Sequence, residues 1–159
     1  MSLVRILVDG YSLLHGWPEL ARGRARHSAF ARDELILKLT QFRDAIGTPV
    51  TIVFDGAGSR SRDSEVKSTP EVEIIYSRAG QNADLIIERA AHQLVSFGEV
   101  LVVTDDHMER ETVMAGGAMA SSCLNFIQTV ESALAEMQND LKHHNRRERN
   151  EFKRRLEKE

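Results

Sequence analysis

A single cysteine, Cys123, in 159 residues leaves no internal disulfide, so the fold must rest on a packed core, and a reducing compartment suits it. Long apolar runs are missing as well. Arg5 interrupts the N-terminal apolar run and Asp9 ends it, which fits no signal peptide, and no later stretch approaches the ~20 residues of a membrane span. These absences lead us to expect a cytoplasmic protein that does not enter a membrane. The histidines form no metal box: His15, His27, His92 and His107 are scattered. His143 and His144 adjoin, and adjacent residues on a helix do not face one ligand. There is no Ser-His-Asp set, no phosphate-cradling Gly-x-x-x-x-Gly-Lys and no internal repeat, and no second domain is expected within these residues. The formal net charge of −3 identifies no partner.

The distribution of that charge is more informative. Residues 142–159 hold eight Lys/Arg and four Asp/Glu, a net +4, which leaves −7 for residues 1–141. A basic tail on an acidic body suits a polyanion. The interleaved Glu148, Glu151 and Glu157 also allow a solvated, salt-bridged helix.

With 42% hydrophobic residues, the length suits one domain with a real core. Strands are expected at 4–8, 50–54, 72–76 and 99–103, with a fifth near 118–120. Their unbroken apolarity marks strands covered on both faces. Helical stripes lie between them. Leu35, Leu39, Phe42 and Ile46 mark 28–46, stopped by Gly47 and Pro49. Ile86, Ala90, Leu94 and Phe97 mark 83–97, and Phe126, Val130, Leu134, Met137 and Leu141 mark 122–141. Cys123 lies on that last apolar face and is expected to be buried. Alternating elements predict an α/β fold around a mainly parallel sheet of four or five strands. The expected division is a body over 1–141 and a helical or frayed basic tail over 142–159.

Three strands run straight into aspartate: Ile-Leu-Val-Asp-Gly (6–10), Ile-Val-Phe-Asp-Gly (52–56) and Leu-Val-Val-Thr-Asp-Asp (101–106). In a parallel sheet, sites form outside the carboxyl ends of the strands, so Asp9, Asp55 and Asp106 should share one edge. Asp84, just inside a helix start, should face it too. Each has a plain reading alone: Asp before Gly starts turns, and Asp84 complements a helix dipole. Together they gather negative charge that a divalent cation would relieve, and hard oxygen donors suit Mg²⁺ or Mn²⁺.

Val-Asp-Gly-Tyr-Ser (8–12) resembles the Val-Asp-Gly-Tyr-Asn opening of the NYN-domain ribonucleases, relatives of the PIN nucleases, and of their YacP-like branch above all. Similar pieces follow in order: Gly16-Trp17-Pro18, Ala31-Arg32-Asp33-Glu34-Leu35, Val53-Phe54-Asp55, Asn82-Ala83-Asp84 with Ile87-Glu88, and Thr104-Asp105-Asp106 with Gly117-Ala118. The resemblance spans roughly residues 4–135. It implies a three-layer α/β/α PIN-like domain and a metal-dependent endoribonuclease. Asp9, Asp84 and Asp106 would be metal ligands and Asp55 a further acidic member. Thr104 would orient carboxylates, and Asp105 is a less direct candidate. Ser12 stands where the family has Asn, a shorter side chain without the amide's paired donor and acceptor. That departure keeps a second reading open, a non-catalytic RNA- or ribosome-binding module. A phosphoaspartyl phosphatase is disfavoured, because Tyr11 occupies the second carboxylate position of its Asp-x-Asp.

Arg22, Arg24 and Arg26 after the first strand, and Arg60, Arg62 and Lys67 after the second, would form a phosphate-binding rim for single-stranded RNA, including messenger RNA on the ribosome. Tyr11 and Trp17 could stack on unpaired bases, although Trp17 before Pro18 also suits packing. Glu88, one helical turn after Asp84, could face the same edge but is assigned to solvent or neighbouring side chains. Asp33 is assigned to capping or supporting the second helix, with support of the site's ligands as the alternative. His107 is expected at the surface. Oligomeric state is not legible.

Overall fold

The computed structural model describes residues 2–56, 67–78 and 80–158. Five strands form one sheet: β1 (Leu3–Asp9), β2 (Val50–Phe54), β3 (Val72–Tyr76), β4 (Glu99–Val103) and β5 (Met119–Ser121). Their order is β3-β2-β1-β4-β5, and every pair is parallel. Strand β1 is central, with Ile6 opposite Val50 on one side and Leu101 on the other. The connections are α1 (Gly10–His15), a 3₁₀ turn (Pro18–Leu20), α2 (Ala29–Ile46), α3 (Ala83–Leu94) and α4 (His107–Ala115), and α5 (Cys123–Glu157) ends the chain.

The period of two along each strand builds two cores. Ile6, Val8, Ile52 and Phe54 pack with Leu35, Leu39 and Phe42 of α2 and Phe126 and Val130 of α5. On the other face Leu7, Val53, Val100 and Val102 meet Ala83, Ile87 and Ala91 of α3 and Val113 of α4. Both faces are dry, which is why the strands read as apolar runs without alternation. The result is the expected α/β/α sandwich, with the fifth strand present.

Several local details differ from the sequence reading. Two short helices, α1 and α4, follow β1 and β4 directly, capped by Asp9 and Asp106. Asp106 accepts from the Glu109 amide at 3.2 Å, the side-chain cap that marks this helix start, while its own amide donates to Thr104 Oγ1. Helix α3 stops at Leu94, and Phe97, expected on its buried stripe, is 77% exposed. Ser28, not Asp33, caps α2 by accepting from Ala31 N at 3.2 Å.

Helix α5 runs unbroken for 35 residues, about 52 Å at 1.5 Å per residue. Its buried residues end at Val130, and Ala133, Leu134 and Met137 are half-buried. Every described residue after Met137 is exposed, including Leu141, which the sequence reading placed on the apolar stripe.

Candidate active site at the carboxyl edge of the sheet

Asp9 ends β1, Asp55 follows β2, Asp106 follows β4, and Asp84 is the second residue of α3. The strand order reverses between β1 and β4, so α1 and α4 leave the sheet on diverging paths and open a crevice at that point. An open cleft of about 540 Å³ holds Asp9, Tyr11, His27, Asp55, Asn82 and Asp84 on its walls.

The carboxylates act on one another. Burial pushes the Asp9 carboxyl up to about 6, and Asp84 and Asp106 push the same way. Hydrogen bonds from the Ser12 amide and from Thr104 oppose the rise without cancelling it. Asp84 is raised by burial, then by Asp106, Glu88 and Asp55. Asp55 is fastened within the same cleft: Ser77 Oγ donates to it at 3.1 Å and accepts from Gly56 N at 2.9 Å.

Two further acids join this set. Glu109 is 3% exposed, one of its oxygens has no hydrogen-bond partner, and its side chain bonds to Glu88. Its carboxyl is held far above the ordinary range, first by burial, then by the bond to Glu88 and by the charges of Asp84, Glu88 and Asp106. Glu88 thus acts on Asp84 and Glu109 where the sequence favours solvent or neighbouring side chains, and Glu109 is a member that the sequence pattern does not single out. The signals were present: Glu88 lies one turn beyond Asp84, and Glu109 stands in the first turn of α4, three residues after its capping Asp106.

The supporting residues divide. Thr104 is fully buried, bonds to Asp9 and accepts from Asp106 N at 3.2 Å, linking two of the carboxylates. Asp105 turns to α5, where it accepts from Cys123 N at 2.8 Å, with Arg110 at 4.0 Å. Ser12 Oγ accepts from Asp105 N at 3.0 Å and lies 3.5 Å from Cys123 Sγ. Burial pushes the Cys123 thiol up to about 12, and Asp105 adds to the rise, so it is no nucleophile at neutral pH.

Of the cations expected around the site, Arg22 takes a left-handed backbone (φ 50°) and approaches Glu34 at 3.7 Å. Arg24 lies 4.1 Å over the Phe30 ring, and Arg26 bonds to His15 Nδ1 at 2.9 Å. Lys67 is exposed, while Arg60 and Arg62 lie outside the described residues. Trp17 is only 4% exposed and packs in the core, so it offers no stacking face. His107 pairs with Glu111 at 3.0 Å on the surface.

Among the described residues, no three His, Cys, Asp or Glu side chains stand where they could hold a metal ion as they lie. The donor set nevertheless suits a hard divalent cation: all its members are carboxylates, they repel one another, and a buried Glu109 oxygen lacks a partner.

A parallel α/β/α sandwich with an acidic crevice at its switch point defines a PIN-like domain. The profile of the YacP-like NYN domain matches residues 6–159, and the chain belongs to that family. It is 30% identical over 128 residues to the uncharacterized protein YacP of Bacillus subtilis (strain 168), covering 80% of this chain and 75% of that one. The crystal structure of a tryptophan-to-leucine mutant of Rae1 (YacP) from Bacillus subtilis superposes with a TM-score of 0.72 at 26% identity, covering 89% of this chain and 83% of the other. The unmutated Rae1 (YacP) crystal structure gives 0.73 at 24% identity over 94% and 85%, a likeness of fold. Membership places the chain in a family consistent with a nuclease or RNA-related role. No helix among the described residues is long and apolar enough to cross a membrane.

Proposed function

We propose that this protein is a divalent-metal-dependent endoribonuclease acting on single-stranded RNA. The observation that carries the reading is the mutual repulsion of Asp9, Asp84 and Asp106 where the connections after β1 and β4 diverge. A folded domain gains no stability from such a cluster, whereas a phosphodiester hydrolase needs one. Asp9, Asp84 and Asp106 would hold Mg²⁺ or Mn²⁺, and a bound ion would polarise the phosphodiester and acidify water. Thr104 would fix the Asp9 and Asp106 carboxylates relative to each other. Asp55, tied down by Ser77, would complete the acidic pocket. In-line attack by water would leave 5′-phosphate and 3′-hydroxyl ends. Arg22, Arg24, Arg26 and Lys67, with Arg60 and Arg62, would take the RNA backbone. The basic tail beyond the 1–141 body would add affinity that weakens with salt.

One observation favours the non-catalytic alternative, an RNA- or ribosome-binding module. Ser12 Oγ is engaged with Asp105 N and Cys123 Sγ, not with the carboxylates. Calorimetry with Mn²⁺ on wild type and Asp84→Asn, with RNA cleavage assayed on the same samples, separates the two. Loss of both in the variant supports the nuclease. A wild type that retains RNA but takes up no Mn²⁺ supports the binding module.

A further inference from the structure

Arg32 is buried, 6% exposed, within α2. Its Nη1 donates to Tyr11 Oη at 3.2 Å and to the His27 carbonyl oxygen at 2.8 Å, and its Nε is buried with no hydrogen-bond partner. Taking a guanidinium out of water is costly, and a phenol and one carbonyl return only part of its solvation. Helix packing does not account for it, since a methionine would fill similar space without that cost. What the arrangement does achieve is positional. One side chain ties the hydroxyl of one cleft residue to the backbone of another, across separate segments of chain.

Those two residues carry rings. Tyr11 and His27 meet at 4.8 Å and 63°, and Tyr11 is braced from behind by Phe54 at 5.1 Å and 61°. Phe54 in turn stacks on Tyr76 at 5.5 Å. Tyr11 is half-buried and His27 exposed, and both line the cleft that contains Asp9, Asp55 and Asp84. The cleft thus has one acidic wall and one aromatic corner.

We propose that the Tyr11–His27 corner receives an unpaired base of the RNA, and that Arg32 is the positioning residue that holds the corner in shape. This rests on the nuclease reading of the same cleft. The chemistry is complementary: the acidic wall repels phosphates until a cation is bound, so the base must supply part of the grip. Aromatic and imidazole rings stack on any base whose face is free. In a duplex that face is covered by its neighbours, so the corner selects single-stranded over paired RNA. A corner fixed in advance loses less freedom when the base arrives.

The test compares His27→Ala, His27→Phe and Arg32→Lys by steady-state cleavage of a short unstructured RNA with Mn²⁺, and by Mn²⁺ calorimetry. His27 is exposed, so its variants should fold. His27→Ala should raise KM about tenfold, within the range of one base–ring stack, with kcat changed less than about twofold and Mn²⁺ affinity unchanged. His27→Phe restores a stacking face and should return KM to near wild type. Arg32→Lys should fall between, again through KM. A wild type that cuts RNA while His27→Ala and His27→Phe both keep its KM overturns this inference and leaves the nuclease reading standing. A wild type that cuts no RNA overturns the nuclease reading, and the inference falls with it.

Discussion

Replacing Asp9 by Asn should make the metal-free protein more stable while removing its metal binding. Asp9 caps α1 by accepting from Ser12 N at 3.3 Å, and it is bonded by Thr104. An Asn carbonyl accepts both bonds and is as good an N-cap. What the substitution removes is the charge. Burial, Asp84 and Asp106 raise the Asp9 carboxyl from its ordinary 3.8 to about 6, a rise of about two pH units, or ~3 kcal/mol. Water reaches this half-buried group, so an effective gain of about 1–2 kcal/mol is expected, ~2–8 °C in Tm for a domain of this size. The sign follows from linkage. The folded chain holds the Asp9 proton more tightly than the unfolded chain, so wild-type stability falls as pH rises from 3.8 through about 6. Asp9→Asn should therefore melt higher than wild type at pH 8 in EDTA and equally at pH 3.5. Adding Mn²⁺ at pH 8 should raise the wild type by mass action and leave the variant where it was. The assay is thermal unfolding across pH with and without metal. A variant that melts lower than wild type at pH 8 in EDTA would refute the account of Asp9 as a strained carboxylate.

Three other outcomes follow from the same structure. Glu109, raised by burial and by Glu88, holds its proton more tightly in the folded chain, so it lowers metal-free stability as pH climbs above the ordinary carboxylate range; Glu109→Gln should flatten that decline in thermal melts and weaken Mn²⁺ uptake measured by calorimetry. A Cβ on Gly10 would collide with the Phe54 ring, which is buried and braces Tyr11, so Gly10→Ala should cost about 1–3 kcal/mol by urea unfolding. Removing residues 142–159 should move Tm by less than about 2 °C, because core burial on α5 ends at Val130; RNA affinity should fall and its salt dependence flatten, and an unchanged salt slope would count against the tail as an RNA contact.

Much of the fold was legible because it is written in local pattern. Apolar runs such as Ile6–Val8 and Leu101–Val103 indicate strands covered on both faces, and with helical stripes alternating between them the sheet that results is parallel. Once the sheet is parallel, a residue ending a strand must lie at its carboxyl edge, which is why Asp9, Asp55 and Asp106 could be assigned there without coordinates. The short helices were harder. Helix α4 buries only Glu109 and Val113, so it leaves almost no apolar stripe to read. Phe97 was placed on a stripe because periodicity cannot tell where a helix stops when no proline intervenes.

The sequence by itself determined the parallel α/β architecture and the edge where acids gather, because period and topology depend on near neighbours and strand direction. Which further groups reach that edge was decided only in three dimensions. Ser12 bonds to Asp105, 93 residues away, and Glu88 meets Glu109 across two helices. Trp17 turns into the core and His27 into the cleft, although both are ring side chains in the same connection. Nothing in their local sequence separates them, because burial is set by what the rest of the chain packs against each one.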